Sequence, residues 1–449
     1  MSGFHDIEPK RRPGRDPQRP PLDPMALTRQ AIEEYGVSPT AQLVSDIMHL
    51  ADVPNSALQD CVLRQMTALE AAKQAGEFSQ HVPPPDAFDS EDGILLAVTD
   101  TPSGSVTPVR MMTRRMPSHT LVAGGLGSGK SHLIRIMLSQ LEQRRPDVPI
   151  IVFDPNRTYE TFCADPSRWL SIDWEDLRLN PLAPPTGYPS DRWLNEGVDI
   201  FSRGELMHSK YLLAGQLQRL MQHAERRAAA TGRYLAPNLF DLHEALRSLW
   251  CRPASPDERY RQSLLNVLGG RLRATGSVFH CASGMEERLT HTRARISTEG
   301  LAPLETLEFV QNHLTHYLYA RRMLAPRVDP PDLAALVVLE EAQTFLQSRT
   351  SDAIPYYQEV LLRARNIGLG FVLVVQDMGR IDPTLGAACS NFFLFAQPSA
   401  ANKRAAASLL DLSARETEML SRLPTGDCFI RFTAGHDGWP YPFRARILP

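Results

Sequence analysis

An eight-residue stretch constrains this chain more than any other: Gly124-Gly-Leu-Gly-Ser-Gly-Lys130-Ser131. It fits the pattern G-x-x-x-x-G-K-[ST]. Apolar Thr120–Ala123 precedes it and reads as a strand, and His132–Glu142 follows it and reads as a helix. Glycines let such a loop fold back so that successive N–H groups face a phosphate. The helix N-terminus adds its partial positive charge. Gly124, Gly125, Gly127, Ser128, Gly129, Lys130, Ser131 and His132 are therefore the candidate nucleotide-binding residues. Lys130 would reach the β- and γ-phosphates of ATP, and Ser131 would ligate Mg2+.

A strand–loop–helix of this kind needs a sheet around it. Apolar runs bounded by turns supply the candidates: Thr120–Ala123, Ile150–Phe153, Ala335–Leu339, Phe371–Val375, Phe392–Phe395 and Cys428–Phe432. Continuous apolar runs suit strands buried on both faces. Helical segments separate several of them, which argues an α/β fold, a parallel or mixed sheet between helices. Ile94–Thr99 and Val106–Met112 flank Pro102-Ser-Gly-Ser105 and predict a hairpin.

Residues 1–25 read as a disordered, mildly basic, Pro-rich tail, and residues 26–85 as a small helical module and linker. Residues 86–449 read as one ATP-binding domain with a mostly helical insertion at about 185–330. Charge is uneven along the chain. Arg203–Arg273 holds twelve Lys+Arg against six Asp+Glu, while the whole chain has 48 against 51. The balance excludes a protein that holds nucleic acid by bulk charge, but the insertion is a candidate nucleic-acid surface. Its alternative is a solvated set of helices. Leu268-Gly-Gly-Arg271 reads as a helix-ending turn.

Further candidates follow the loop. Leu336-Val-Val-Leu-Glu340-Glu341-Ala-Gln343 is an apolar strand ending in two acids. We assign Glu340 to the metal and Glu341 to polarising the attacking water. The plainer reading is a helix N-terminus with favourable acids. Gln376 ends the strand Phe371–Val375 and is positioned to contact the γ-phosphate or its water. Arg363 and Arg365 precede a glycine turn. Either could supply positive charge to a phosphoryl-transfer transition state, in cis or to a neighbouring subunit. Asp154 reads as the start of a turn.

Other chemistries find no support. The 13 histidines form no H-E-x-x-H pattern, and no Gly-x-Ser-x-Gly elbow occurs. The six cysteines form no CxxC pair, which argues against a zinc ribbon or disulfide scaffold. A membrane span needs about 20 apolar residues, and the longest run is Leu333–Leu339. The N-terminal stretch lacks the apolar core of a secretory signal. The expectation is a reduced, soluble, cytoplasmic protein with no membrane partner.

Together the motifs resemble the FtsK/HerA superfamily of P-loop ATPases, nearest its HerA-type and conjugation-type motors. The residues that carry the resemblance are Ser118–Ser131, Ile150–Asp154-Pro, Leu177-Arg-Leu-Asn180-Pro-Leu182, Val338–Gln343, Arg365-Asn-Ile-Gly-Leu-Gly and Gln376. Asn391 and Leu423–Ile430 look like the family's closing segment. The resemblance implies a RecA-like P-loop NTPase core that assembles as a homo-oligomer, a hexameric ring. Nucleotide would lie between subunits, and a trans-acting arginine, Arg365 by position, would complete each site. DNA would pass through the pore, driven by ATP with Mg2+. By the same match Lys130, Glu341, Gln376 and Arg365 are catalytic, and Ser131 and Glu340 hold the metal. Two departures stand out. The acid pair is Glu340-Glu341, where many relatives have Asp then Glu, and a helical N-terminal module replaces the usual small β-barrel. This suggests a specialised member that docks a partner nuclease or effector in DNA processing or phage defence. The alternatives are an ATP-dependent scaffold presenting an effector, or a conjugation or secretion coupling ATPase.

Overall fold

The computed structural model describes residues 83, 88, 93–100, 106–201, 207–326, 331–344, 356–381, 388–433 and 441–449. The tail and helical module expected over 1–85 lie outside the described residues, apart from Pro83. In chain order the strands are β1 (Gly93–Asp100), β2 (Val106–Met112), β3 (Thr120–Ala123), β4 (Ile150–Asp154), β5 (Leu170–Asp173), β6 (Arg293–Ser297), β7 (Ala335–Leu339), β8 (Leu369–Val375), β9 (Asn391–Leu394), β10 (Asp427–Phe432) and β11 (Phe443–Ile447). They form one sheet in the order β2-β1-β11-β10-β9-β3-β8-β7-β4-β6-β5.

The sheet has two characters, and burial follows them. From β9 to β5 the strands are parallel. Every residue of β3, β4, β7 and β8 is buried. Alternate residues feed two cores, one on each face: Ile150, Val152, Leu336 and Val338 on one side, Ile151, Phe153, Val337 and Leu339 on the other. The four strands β2, β1, β11 and β10 are antiparallel. There β2 and β11 alternate buried and exposed positions, as strands with one solvated face do.

Ten helices are described. They are α1 (Lys130–Arg144), α2 (Ser190–Phe201), α3 (Met207–Thr231), α4 (Leu239–Ser248), α5 (Pro256–Thr275), α6 (Glu286–Leu289), α7 (Leu304–Met323), α8 (Tyr356–Ala364), α9 (Ala400–Leu410) and α10 (Ala414–Met419). Leu133, Ile134, Met137, Leu138 and Leu141 of α1 recur at helical spacing and enter one core. Asn238 and Asp241 cap α4 reciprocally, and Ser255 with Pro256 opens α5.

The stretch read as a mostly helical insertion at about 185–330 also contains β6, which returns to the main sheet between β4 and β5. The inserted helices lie between β5 and β6 and share the core, through Leu217, Leu242, Leu264 and Leu272 among others. The pair Gly269-Gly270 does not end a helix but lies inside α5. A Cβ on Gly269 would stand 3.3 Å from His243 of α4. The glycine lets the two helices approach closely.

Candidate functional site

Parallel pairing decides which residues meet. Ala123 of β3 lies opposite Val375 of β8, and Leu373 of β8 lies opposite Leu339 of β7. The next residues are Gly124, Gln376 and Glu340, so all three emerge at one edge of the sheet. Beside them, β4 ends in Asp154, tied to this edge by Glu340 N donating to Phe153 O (3.3 Å).

The loop is shaped by glycine where nothing else fits. A Cβ on Gly124 would lie 2.6 Å from Phe395 Cβ. Gly129 takes φ +115° directly before α1, and Gly127 takes φ +71°. Gly124 N and Gly125 N donate to Val375 O (3.1 Å) and Ala396 O (2.9 Å), so those two amides fix the loop to the sheet. The N–H groups of Lys130, Ser131 and His132 open α1 and have no intrahelical acceptor. They are the donors that this loop can offer to an anion. Ser128 Oγ donates to Gly125 O (2.8 Å), and Gly426 N supports Ser128 O (3.0 Å) from the closing segment. The His132 side chain bonds Leu448 O (2.7 Å), which turns its ring to the C-terminal strand.

Lys130 Nζ donates to Gly124 O (2.7 Å) and Gly125 O (2.8 Å). Burial lowers its pKa, and the nearby Glu340 charge opposes that shift. Glu340 is only 7 % exposed. Burial raises its carboxyl pKa, against the Tyr159 hydrogen bond and Lys130. The Tyr159 hydroxyl donates to Glu340 Oε1. Ser131 lies within hydrogen-bonding reach of the same hydroxyl.

Glu341 differs from its neighbour. It is partly exposed and takes φ +55°, where a residue with a Cβ is strained. Its Oε1 accepts from Asn156 Nδ2 (2.7 Å). Gln376 is held by its backbone: its N–H donates to Gln343 Oε1 (3.2 Å), and its carbonyl accepts from Asn402 Nδ2 (3.3 Å).

Asp154 is more than a turn. Thr158 N and Tyr159 N donate to its carboxylate, as a turn-starting aspartate allows. It also pairs with Arg295 of β6 at 2.8 Å, with both side chains buried. Sequence reasoning missed Tyr159, Arg295 and the supporting amides Asn156 and Asn402. Asn156 had one signal, its place in the turn after β4.

Arg363 and Arg365 are placed elsewhere. Both are exposed, and Arg365 lies just before β8, at the end of that strand away from Gln376. A seven-residue strand spans roughly 20 Å. Arg365 therefore stands at the far edge of the sheet from its own phosphate loop.

Residues 98–206 match the family model described as "Helicase HerA, central domain". Solved structures match over most of the chain. VirB4 of Thermoanaerobacter pseudethanolicus is 16% identical, with a TM-score of 0.57, over 81% of this chain and 98% of that one. The bacterial conjugative coupling protein TrwB, unbound, is 15% identical, with a TM-score of 0.56, over 79% and 89%. The fold, a large sheet between helices, is the RecA-like P-loop ATPase fold of these neighbours. TrwB in complex with ADP and Mg2+ matches this P-loop chain at 16% identity, with a TM-score of 0.53, over 76% of this chain and 87% of that one. No curated protein matches the sequence. Among the described residues, no helix is long and apolar enough to cross a membrane.

Proposed function

We propose that this chain is an ATP-hydrolysing ring motor that translocates double-stranded DNA, with a partner nuclease or effector in DNA processing or phage defence. One observation carries the hydrolytic part. A glycine loop with a buried lysine and a strand ending in two unlike glutamates open at the same edge, separated by the strand that carries Gln376.

The loop binds the triphosphate through the α1 N-terminus and Lys130. Glu341, partly exposed, takes a proton from the attacking water. Gln376 orients that water or the γ-phosphate. The hydroxyl of Ser131 and the carboxylate of Glu340 converge on one point, marked by the Tyr159 hydroxyl. Such oxygen donors fit Mg2+. Among the described residues no cluster of three His, Cys, Asp or Glu side chains could hold a metal alone. This suits an ion shared with phosphate. When bound, the ion neutralises charge on the phosphates.

Arg365 supports the ring. At the far edge it cannot reach its own nucleotide, and its exposure suits a role toward a neighbour's. Arg219, Arg226, Arg227 and Arg233, exposed on and after α3, support the DNA reading by charge. The likeness to TrwB, a conjugative coupling protein, favours a second reading as a coupling ATPase.

The test is ATP turnover by the purified protein with and without duplex DNA, beside Glu341→Gln. Turnover that rises with DNA, and a variant that binds ATP but hydrolyses it about 10²–10⁴-fold more slowly, are expected. Hydrolysis that ignores DNA moves the reading to a scaffold or a partner-gated ATPase. Full activity in Glu341→Gln removes Glu341 from the mechanism.

A further inference from the structure

Tyr159 is wholly buried, and its hydroxyl lies between Ser131 and Glu340. A phenol has one hydrogen to donate and lone pairs to accept. Here it donates to Glu340 and is within reach of Ser131 as the other partner. These two groups are the oxygen donors that fit a hard cation. Its one hydrogen goes to Glu340, so from Ser131 the phenol can only accept. The lone pair that it engages, and that a cation held there would need, is on Glu340.

The phenol is firmly backed. The Thr158 and Tyr159 amides bond to the Asp154 carboxylate (2.8 and 3.0 Å). Cys163 N donates to Tyr159 O (2.9 Å), and Asp154 is anchored to Arg295 of β6. The hydroxyl cannot leave by a free swing of the ring. The turn that carries it has to shift.

We propose that Tyr159 is a positioning residue that holds the metal half of the site closed until a magnesium–nucleotide complex enters. The inference rests on reading Gly124–Ser131 as a nucleotide loop. It gives Glu340 a partner in the empty site, where a buried carboxylate beside a single lysine would otherwise be under-compensated. The site then opens only to a cation that brings its own charge.

The experiment uses the full chain, a fluorescent non-hydrolysable ATP analogue and a Mg2+ titration, for the wild type and Tyr159→Phe. Affinity in EDTA should agree within about twofold, which also shows that the variant is folded. The Mg2+ concentration for half-maximal effect should fall about tenfold in the variant, the weight of one hydrogen bond to a charged group. An unchanged or higher midpoint overturns the inference, since a core tyrosine with only a structural role gives that result. Hydrogen exchange on the wild type keeps the test open if the variant does not fold. The amides of Thr158 and Tyr159 should change protection with nucleotide plus Mg2+ but not with nucleotide in EDTA, and no difference overturns the inference. A wild type that binds no nucleotide under either condition overturns the nucleotide reading and this inference with it.

Discussion

At their C-terminal tips, β3, β8 and β7 lead into Gly124, Gln376 and Glu340. At their other ends the same strands start from a different kind of structure. His119 Nε2 donates to Leu361 O (2.7 Å). Asn391 Nδ2 donates to Arg115 O and His119 O (3.0 Å each). Gly368 takes φ +71° where a Cβ would lie 2.3 Å from Asp332 O. That edge is cross-tied by buried side chains and close backbone. The tip edge instead holds a strained glutamate, a loop of glycines and a lysine resting on carbonyls. One edge is fixed by buried hydrogen bonds, and the other carries the strained and glycine-shaped backbone of the candidate site. Arg365 rides on the first of these, so it is presented outward from a fixed base.

The largest effect should come from separating the two edges between subunits. Arg365→Ala and Glu341→Gln should each lower turnover, by on the order of 10³-fold for the arginine. Mixed together, the two variants should regain turnover, because a site with an intact Glu341 can meet an intact Arg365 from its neighbour. If Arg365 acts in cis, or not at all, mixing restores nothing. Steady-state ATPase on the mixture decides between these.

The next effect concerns what links the tip of β4 to β6. Asp154 and Arg295 are a buried pair with side chains 0% and 2% exposed. Arg295→Met leaves Asp154 charged and unpaired, which should destabilise the fold by about 3–5 kcal/mol. Urea unfolding at neutral pH measures it. A loss below about 1 kcal/mol would mean that Thr158 and Tyr159 amides suffice for Asp154.

The same pair shows where the sequence was legible. Strands β3, β4, β7 and β8 read directly, because burial on both faces demands unbroken apolar runs. Strand β6 reads Arg-Ala-Arg-Ile-Ser. Its Arg295 is buried against a partner far away in sequence, and no periodicity rule reveals that. Strand β11 alternates arginine with apolar residues because one of its faces is solvated, and there Arg444 and Arg446 both bond Asp427. The glycine loop between β3 and α1 was legible because its pattern is local. The glutamate pair was legible as a pair, but its division into a buried and a strained member depends on Tyr159 and Asn156. Those two residues arrive through the turn after β4, and their roles exist only once β4 and β7 are adjacent.

The smallest effect should be a pH dependence confined to the fixed edge. Burial lowers the His119 pKa to about 4; its hydrogen bond to Leu361 O opposes that shift and the Arg365 charge adds to it. The carbonyl partner requires Nε2–H, and Nδ1 has no partner. A second proton would therefore enter an unpaired, buried position. The folded pKa lies below the unfolded value of 6.5, so the unfolded chain takes up the proton first as pH falls. Stability from neutral His119 is complete above about pH 6.5 and is lost between there and about pH 4. From pH 7 to 5 the loss through this one group is about 2 kcal/mol. Urea unfolding of the wild type and His119→Gln at both pH values isolates it, since other titrating groups cancel in the difference. A wild type that loses no more stability than the variant would show that the histidine takes its proton without cost, and that this edge yields more readily than its hydrogen bonds imply.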